Sequence, residues 1–157
     1  MKSFAQLLTA LTVAAPLTSC ALFRTRPPSY PPWVTDSGLM VQDLVVPDGV
    51  LVEEGARVLV HYEARLVSTG EIFDSSYAEG QPVWLELDGG ELPAGLAEGL
   101  VGMCVGGRRE LTIPPELGYG ADGVPDRVPP NETLIFSVEV LDAIQPEVAV
   151  EPQSAAP

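Results

Sequence analysis

Between residues 36 and 144, apolar residues recur mostly at every second position, the period of a β-strand with one buried face. The segment 57–67 shows this period over the greatest length. Its predicted buried face consists of Val58, Val60, Tyr62, Ala64 and Leu66. His61 falls on the opposite face of the same strand and is expected to have a structural role. Further strands are predicted at 39–46, 71–74, 82–87, 110–113 and 133–141.

One segment, 93–101, has the spacing of a helix. Its apolar stripe is formed by Leu92, Leu96, Leu100 and Met103. Pro93 suits the first helical position. Gly95 and Gly99 weaken the helix, so contacts with the sheet must stabilise it. The pattern therefore predicts an α+β domain in which a bent antiparallel sheet, a half-barrel, wraps around one short α-helix.

Composition narrows the class of function. The chain has 157 residues, with 22 acidic and 8 basic side chains and a net charge of −14. Such a charge disfavours binding to nucleic acid and repels anionic lipid head groups. With one histidine and two cysteines, the sequence cannot assemble a Cys/His zinc site, and no metal is expected.

The N-terminal segment has the features of an export signal. Lys2 precedes an apolar run from Phe4 to Leu17, which is short for a membrane span. The run ends in Leu17-Thr18-Ser19-Cys20, which resembles the lipobox of bacterial lipoproteins. The resemblance implies a signal peptide over 1–19 and a lipidated Cys20 that attaches the chain to a membrane. An ordinary secretory signal with an incidental cysteine remains the alternative.

The remaining boundaries follow from composition. Residues 20–35 contain two Pro-Pro pairs and are expected to form an extended linker from Cys20 to the domain. The domain is expected at 36–144, and the tail 145–157 is expected to be disordered. Ala21 does not resemble an inner-membrane retention signal. The expected location is therefore the bacterial cell envelope, on the outer membrane facing the periplasm.

Five short motifs follow one another within the domain. They are His61-Tyr62, then 70–76, then 99–109, then 113–120, and finally 128–136. In this order and spacing, the chain resembles an FKBP-type peptidyl-prolyl cis-trans isomerase over nearly all of 36–144. The known fold of that family is a half-barrel sheet around a short helix, which agrees with the pattern above.

The resemblance implies isomerisation of X–Pro bonds in proline-containing polypeptides, with no cofactor. By position in the motifs, the residues implied in catalysis are Tyr62, Phe73, Asp74, Tyr119 and Phe136. The residues implied in substrate binding are Val83, Leu92, Pro93, Leu96 and Val128. The Tyr119 hydroxyl is expected to donate to a substrate carbonyl, and Asp74 is expected at the pocket rim.

The sequence departs from the family pattern around this pocket. Leu96 stands where the family has a tryptophan, and Val83 stands where a phenylalanine is expected. Pro93 has no N–H to donate. These changes predict a wider, less aromatic pocket with reduced activity or inhibitor affinity.

Two further departures concern charge and the loop above the pocket. Arg127 and Val124 alter that loop, and the stretch 77–79 offers no base to pair with Asp74. An alternative function is therefore kept open. The chain would then use the same fold as a non-catalytic chaperone or docking module of the envelope.

Overall fold

A computed structural model describes residues 31–146. The predicted signal peptide, the lipidation site Cys20, most of the linker and residues 147–157 of the tail lie outside the described residues. Within 31–146, no helix is both long enough and apolar enough to cross a bilayer.

The described residues form seven strands and two α-helices. The strands are β1 (Trp33–Val34), β2 (Met40–Val45), β3 (Arg57–Leu66), β4 (Ile72–Ser75), β5 (Val83–Glu86), β6 (Arg108–Ile113) and β7 (Leu134–Ile144). The helices are α1 (Ser76–Glu79) and α2 (Ala94–Leu100), and a single 3₁₀ turn covers Pro115–Leu117.

All strands belong to one antiparallel sheet in the order β1-β2-β6-β7-β3-β4, with β5 also paired to β3. The long strands β3 and β7 pair from Arg57↔Ile144 to Leu66↔Leu134, with one irregularity between Leu59 and Val60. Val58, Val60, Ala64 and Leu66 are buried, as the period-two pattern predicts, while Tyr62 is half-buried. The predicted fold class, an antiparallel sheet with few helices, is confirmed.

Helix α2 lies against β6, and its two glycines explain how close it lies. A Cβ at Gly95 would sit 2.7 Å from Ile113 Cγ2, and one at Gly99 would sit 2.5 Å from Leu111 Cδ2. The two glycines therefore lower the intrinsic stability of the helix but allow it to lie close to the sheet. Pro93 precedes the helix as its N-cap and does not occupy the first helical turn.

Three short elements were not predicted. The strand β1 has two residues, α1 has four and the 3₁₀ turn has three, all too short for a periodic pattern to register. Helix α1 nevertheless matters to the site, because its first residue, Ser76, is fully buried beneath β3. Within 31–146 the structure therefore has one α-helix more than the pattern predicted, and of these two only α2 is longer than one turn.

Candidate active site

Four aromatic side chains from three strands and one loop meet at one end of the sheet. The ring centroids of Tyr62 and Phe136 are 6.1 Å apart. Phe73 stands edge-on to Phe136 at 6.1 Å and to Tyr119 at 6.5 Å. Edge-to-face pairs at these distances are favourable because the positive edge of one ring meets the negative face of the other. The resemblance implied that all four line one pocket, and the structure brings their rings together.

Phe73 reaches this cluster through an irregularity in β4. Ala64 pairs with Asp74, but Arg65 pairs with Ile72, so Phe73 is the extra residue of a β-bulge. A bulge on an edge strand redirects a side chain and leaves a backbone group free of the ladder. The Phe73 carbonyl accepts a hydrogen bond from Arg127 Nη2 at 3.0 Å instead.

Asp74 has a polar partner for each carboxylate oxygen. Tyr62 donates its hydroxyl proton to Oδ2 at 3.0 Å. The guanidinium of Arg127 lies 3.3 Å from Oδ1. The segment 77–79 indeed supplies no base, as the sequence indicated, but the structure supplies one from the opposite loop.

Backbone hydrogen bonds fix the loop that carries Tyr119 and Arg127. The amide of Gly120 donates to Pro115 and its carbonyl accepts from Asn131. The Arg127 amide donates to the Val124 carbonyl across a turn in which Pro125 comes second and Asp126, with φ of 62°, comes third. Proline at the second position and a positive φ at the third are the features of a type II turn.

The predicted substrate-binding residues occupy several elements. Leu96 and Val128 are buried in the core, with 4% of each exposed. Leu92 is half-buried against that core. Pro93 is buried at the start of α2, and its carbonyl accepts the amides of Leu96 and Ala97. Val83, half-buried on β5, pairs with Val60.

The tyrosine hydroxyls of the cluster are held in their protonated form. Burial, then the negative charge of Asp74 and the hydrogen bond to it, raise the pKa of Tyr62 far above its usual value. Burial and then Asp74 also raise the pKa of Tyr119, while Arg127 opposes that rise. Both hydroxyls therefore remain hydrogen-bond donors at any physiological pH.

Comparison with known proteins decides the family. A family model described as FKBP-type peptidyl-prolyl cis-trans isomerase matches residues 49–141. Peptidyl-prolyl cis-trans isomerase FKBP15-3 of Arabidopsis thaliana is 47% identical over 107 residues, covering 67% of this chain and 73% of that protein. Peptidyl-prolyl cis-trans isomerase FPR2 of Saccharomyces cerevisiae is 47% identical over 88 residues, covering 56% of this chain and 65% of that protein.

A solved structure agrees with both. FkpA from Escherichia coli superposes with a TM-score of 0.67 and 36% identity, covering 80% of this chain and 56% of that chain. The chain belongs to the FKBP-type peptidyl-prolyl cis-trans isomerase family. The family resemblance drawn from the motifs is confirmed, and the enzyme class follows from it.

Two features of this FKBP domain were missed by the sequence reasoning. The first is the Arg127 contact described above. The second is a network behind the pocket, where the hydroxyl of buried Ser76 accepts the Tyr62 amide at 2.9 Å and lies 2.9 Å from His61 Nδ1. His61 also stacks on Tyr77 with ring centroids 4.5 Å apart. The pair Ser75-Ser76 at the end of the 70–76 motif was the sequence signal for this network, and it is a weak one.

His61 lies on the sheet face opposite Tyr62, as predicted from the alternation in β3. Within 31–146, no group of three or more His, Cys, Asp or Glu side chains is arranged to hold a metal ion. What the site offers is a partly buried aromatic wall, protonated phenols and a carboxylate whose charge is balanced.

Proposed function

We propose that this protein accelerates rotation about X–Pro peptide bonds at the aromatic cluster, in polypeptides of the bacterial envelope. The observation that carries the proposal is the convergence of Tyr62, Phe73, Tyr119 and Phe136 beside a paired Asp74. This arrangement suits a reaction that needs an apolar surface and hydrogen-bond donors. It contains no activated nucleophile.

The chemistry of the bond explains why such a surface suffices. Amide resonance holds the peptide planar with a barrier of about 18–20 kcal/mol, and the X–Pro bond isomerises over tens to hundreds of seconds. The twisted transition state is less dipolar than the planar amide. A pocket that removes water from the prolyl ring and its carbonyl therefore favours the twisted state relative to the planar state.

Each residue then has a distinct task. The rings of Phe73 and Phe136 exclude water from the proline. The Tyr119 hydroxyl, kept protonated by burial, donates to a substrate carbonyl. Asp74 accepts from Tyr62 and fixes that ring, so its charge is already compensated before substrate arrives.

Pro93 and Leu96 are expected to lower the affinity for substrate and for macrolide inhibitors. Without an N–H at Pro93, one backbone donor toward substrate is absent, and one net hydrogen bond is worth about 0.5–1.5 kcal/mol. A loss of about 1.4 kcal/mol is tenfold in binding. The protein should therefore bind macrolide inhibitors of FKBPs more weakly than relatives with a tryptophan at the Leu96 position.

A protease-coupled assay on X–Pro peptides tests the proposal with the full chain. The wild type should shorten the slow phase, and Phe136→Leu should reduce kcat/KM by about tenfold, equivalent to ~1.4 kcal/mol. Val140→Ala on the same strand is the control, because it removes volume from a fully buried position outside the ring cluster. Equal losses in the two variants would indicate general destabilisation instead.

Attachment to a membrane through lipidated Cys20 is the second part of the proposal. It is supported by the sequence Leu17-Thr18-Ser19-Cys20 after an apolar run. Each buried CH₂ contributes about 0.8 kcal/mol, so two or more acyl chains give a stable anchor against the repulsion of a net charge of −14. The outer membrane, with the domain in the periplasm, remains the proposed location because of Ala21.

The second cysteine makes this part sharply testable. Cys104 is buried, with 4% of its surface exposed. Since the sequence has two cysteines, a lipidated Cys20 and a disulfide between Cys20 and Cys104 exclude each other. Labelled palmitate should enter the wild type and the Cys104→Ala variant, and Cys20→Ser should abolish labelling and detergent partitioning. An unlabelled wild type with the intact mass of a disulfide would contradict the anchor and leave the isomerase proposal untouched.

The non-catalytic docking module is favoured by one observation. Pro93 and Leu96, which the resemblance implies in substrate binding, are both buried. In that case the protein would slow aggregation of an unfolded client equally well before and after Phe136→Leu. Its effect on X–Pro peptides would be absent. The two functions therefore separate in parallel assays of aggregation and peptide isomerisation.

A further inference from the structure

Arg127 joins two parts of the site that are far apart in sequence. Its Nη2 atom lies 3.0 Å from the carbonyl oxygen of Phe73 and 3.3 Å from Oδ1 of Asp74. Phe73 and Asp74 belong to the edge strand β4, whereas Arg127 belongs to the loop that also presents Tyr119. One guanidinium therefore links β4 to the loop that carries Tyr119.

The local backbone presents this side chain. The turn from Val124 to Arg127 contains Pro125, which fixes its own φ, and Asp126 with φ of 62°. Val124 and Val128 then form two backbone hydrogen bonds with each other, each of 2.8 Å, and these close the hairpin around the turn. Arg127 is thus held in a constrained turn on a closed loop, with Val128 anchored in the core.

The acceptor on the other side is also specific. The bulge in β4 leaves Phe73 without a paired residue on β3, and its carbonyl oxygen accepts a hydrogen bond from Arg127. The adjacent Asp74 carboxylate adds a charge-assisted contact, while its second oxygen remains with Tyr62. Arginine can serve both acceptors because its guanidinium carries several donors in a fixed plane.

We propose that Arg127 is a positioning residue for the isomerase reaction, closing the Tyr119 loop against β4 so that the rings of Phe73 and Tyr119 form one continuous wall. The inference rests on the proposed isomerase function for its catalytic consequence. It assigns to Arg127 a role that the sequence reasoning did not foresee. Arg127 acts through Phe73, Asp74 and the loop, and is not itself placed on the reacting bond.

The exposure of the pair distinguishes positioning from stability. The side chains of Arg127 and Asp74 are 53% and 31% exposed, and ion pairs that open to solvent contribute little to folding. Loss of the contact should therefore leave Tm nearly unchanged. It should lower activity instead, because the two walls are no longer held at the reactive spacing.

The test compares Arg127→Gln and Arg127→Lys in the full chain, with Arg57→Gln as the matched control. Arg57 makes an exposed ion pair with Glu86 and lies over the Trp84 ring, so its substitution removes the same charge at the start of β3. We expect Arg127→Gln to lower kcat/KM about fivefold, Arg127→Lys to recover at least half of the activity, and Arg57→Gln to retain wild-type activity.

A spectroscopic readout accompanies the kinetics. Because Arg127 opposes the rise in the pKa of Tyr119, its removal should shift the alkaline absorbance titration of Tyr119 to higher pH, identified by difference from the Tyr119→Phe variant. Activity of Arg127→Gln within 1.5-fold of wild type, about 0.2 kcal/mol, or an equal loss in Arg57→Gln, would overturn the proposal.

If the isomerase proposal is wrong, the wild type itself will be inactive on X–Pro peptides. The positioning role is then judged from hydrogen exchange of the amides of Val124, Arg127 and Val128, all bonded within the loop. Faster exchange in Arg127→Gln supports the contact as a loop closure. Unchanged exchange contradicts it.

Discussion

The hydroxyl of Tyr62 on β3 donates a hydrogen bond of 3.0 Å to Oδ2 of Asp74 on the bulged strand β4. This bond orients the Tyr62 ring against Phe136 and occupies one of the two carboxylate oxygens of Asp74. Tyr62 is therefore a support for the site, and its phenol is not available to donate to substrate while the bond persists.

Tyr62→Phe tests that relationship. The variant keeps the ring but removes the donor, leaving Asp74 with Arg127 as its remaining side-chain partner. One hydrogen bond to a charged group contributes about 1.5–3 kcal/mol to stability. Because the Tyr62 ring is then no longer fixed against Phe136, kcat/KM should fall by up to roughly tenfold, or ~1.4 kcal/mol. Tyr77→Phe is the control, because Tyr77 bonds Glu139 at 3.3 Å on the exposed sheet face. A fall of the same size in Tyr77→Phe would contradict the account.

Alkaline pH gives a second prediction. Burial and Asp74 raise the pKa of both Tyr62 and Tyr119, so both keep their protons in the folded state above the usual value of about 10. Activity should therefore persist to about pH 10 without a loss from tyrosine ionisation.

The same shifts fix the sign of the stability change. In the unfolded chain these tyrosines ionise at about pH 10, while the folded state still holds the protons. Their contribution to stability is thus present below about pH 10 and is lost as the pH rises further. Kinetic assays and absorbance near the phenolate band measure both effects. Phenolate formation by Tyr62 in the folded protein near pH 9 would contradict the buried hydrogen bond.

Two glycines of the Tyr119 loop provide a paired test. Both have positive φ, 61° at Gly120 and 63° at Gly123. A Cβ at Gly120 meets no heavy atom within 4 Å, whereas one at Gly123 would lie 2.8 Å from the Pro129 carbonyl carbon. Gly120→Ala should cost about 1–2 kcal/mol from backbone strain alone. Gly123→Ala should cost more and also lower kcat/KM, as measured by denaturant unfolding and the peptide assay; equal costs would argue against the close approach.

The close contact of α2 with the sheet predicts that replacing a helical glycine by alanine destabilises the fold, the opposite of what helix propensity alone predicts. Alanine is favoured over glycine inside a helix by about 1 kcal/mol. Gly99→Ala should nevertheless destabilise the fold, because its methyl would press on Leu111. In a Leu111→Val background the same substitution should cost much less, so a double-mutant cycle in urea measures the coupling. Stabilisation by Gly99→Ala alone would show that the helix has room to move.

The sequence predicted those parts of the fold that depend on period and motif. The burial of Val58, Val60 and Ala64 follows from alternation, and the position of Tyr119 follows from its motif. The bulge at Phe73 could not be predicted, because one extra residue in a strand leaves no trace in a period-two pattern. The approach of Gly99 to Leu111 likewise depends on the angle between helix and sheet.

Arg127 illustrates the remaining gap in the candidate site. Reasoning from neighbours in sequence sought the partner of Asp74 at 77–79, within one turn of the carboxylate. The structure supplies the charge from across the pocket, 54 residues away from Phe73. A contact between a loop and an edge strand depends on the folded topology and leaves no signal in the residues next to Asp74. The roles in binding substrate stay predictions for all five residues, Val83, Leu92, Pro93, Leu96 and Val128.

The central claim is that the aromatic pocket lowers a rotational barrier without moving a proton. The most direct measurement is the solvent deuterium isotope effect on kcat/KM for an X–Pro peptide, followed by exchange NMR without a coupling protease. Rotation breaks no bond to hydrogen, so the ratio of rates in H₂O and D₂O should be about 1 for the wild type. A ratio of about 2 or more, abolished in His61→Gln or Tyr119→Phe, would establish proton transfer in the transition state and contradict the account.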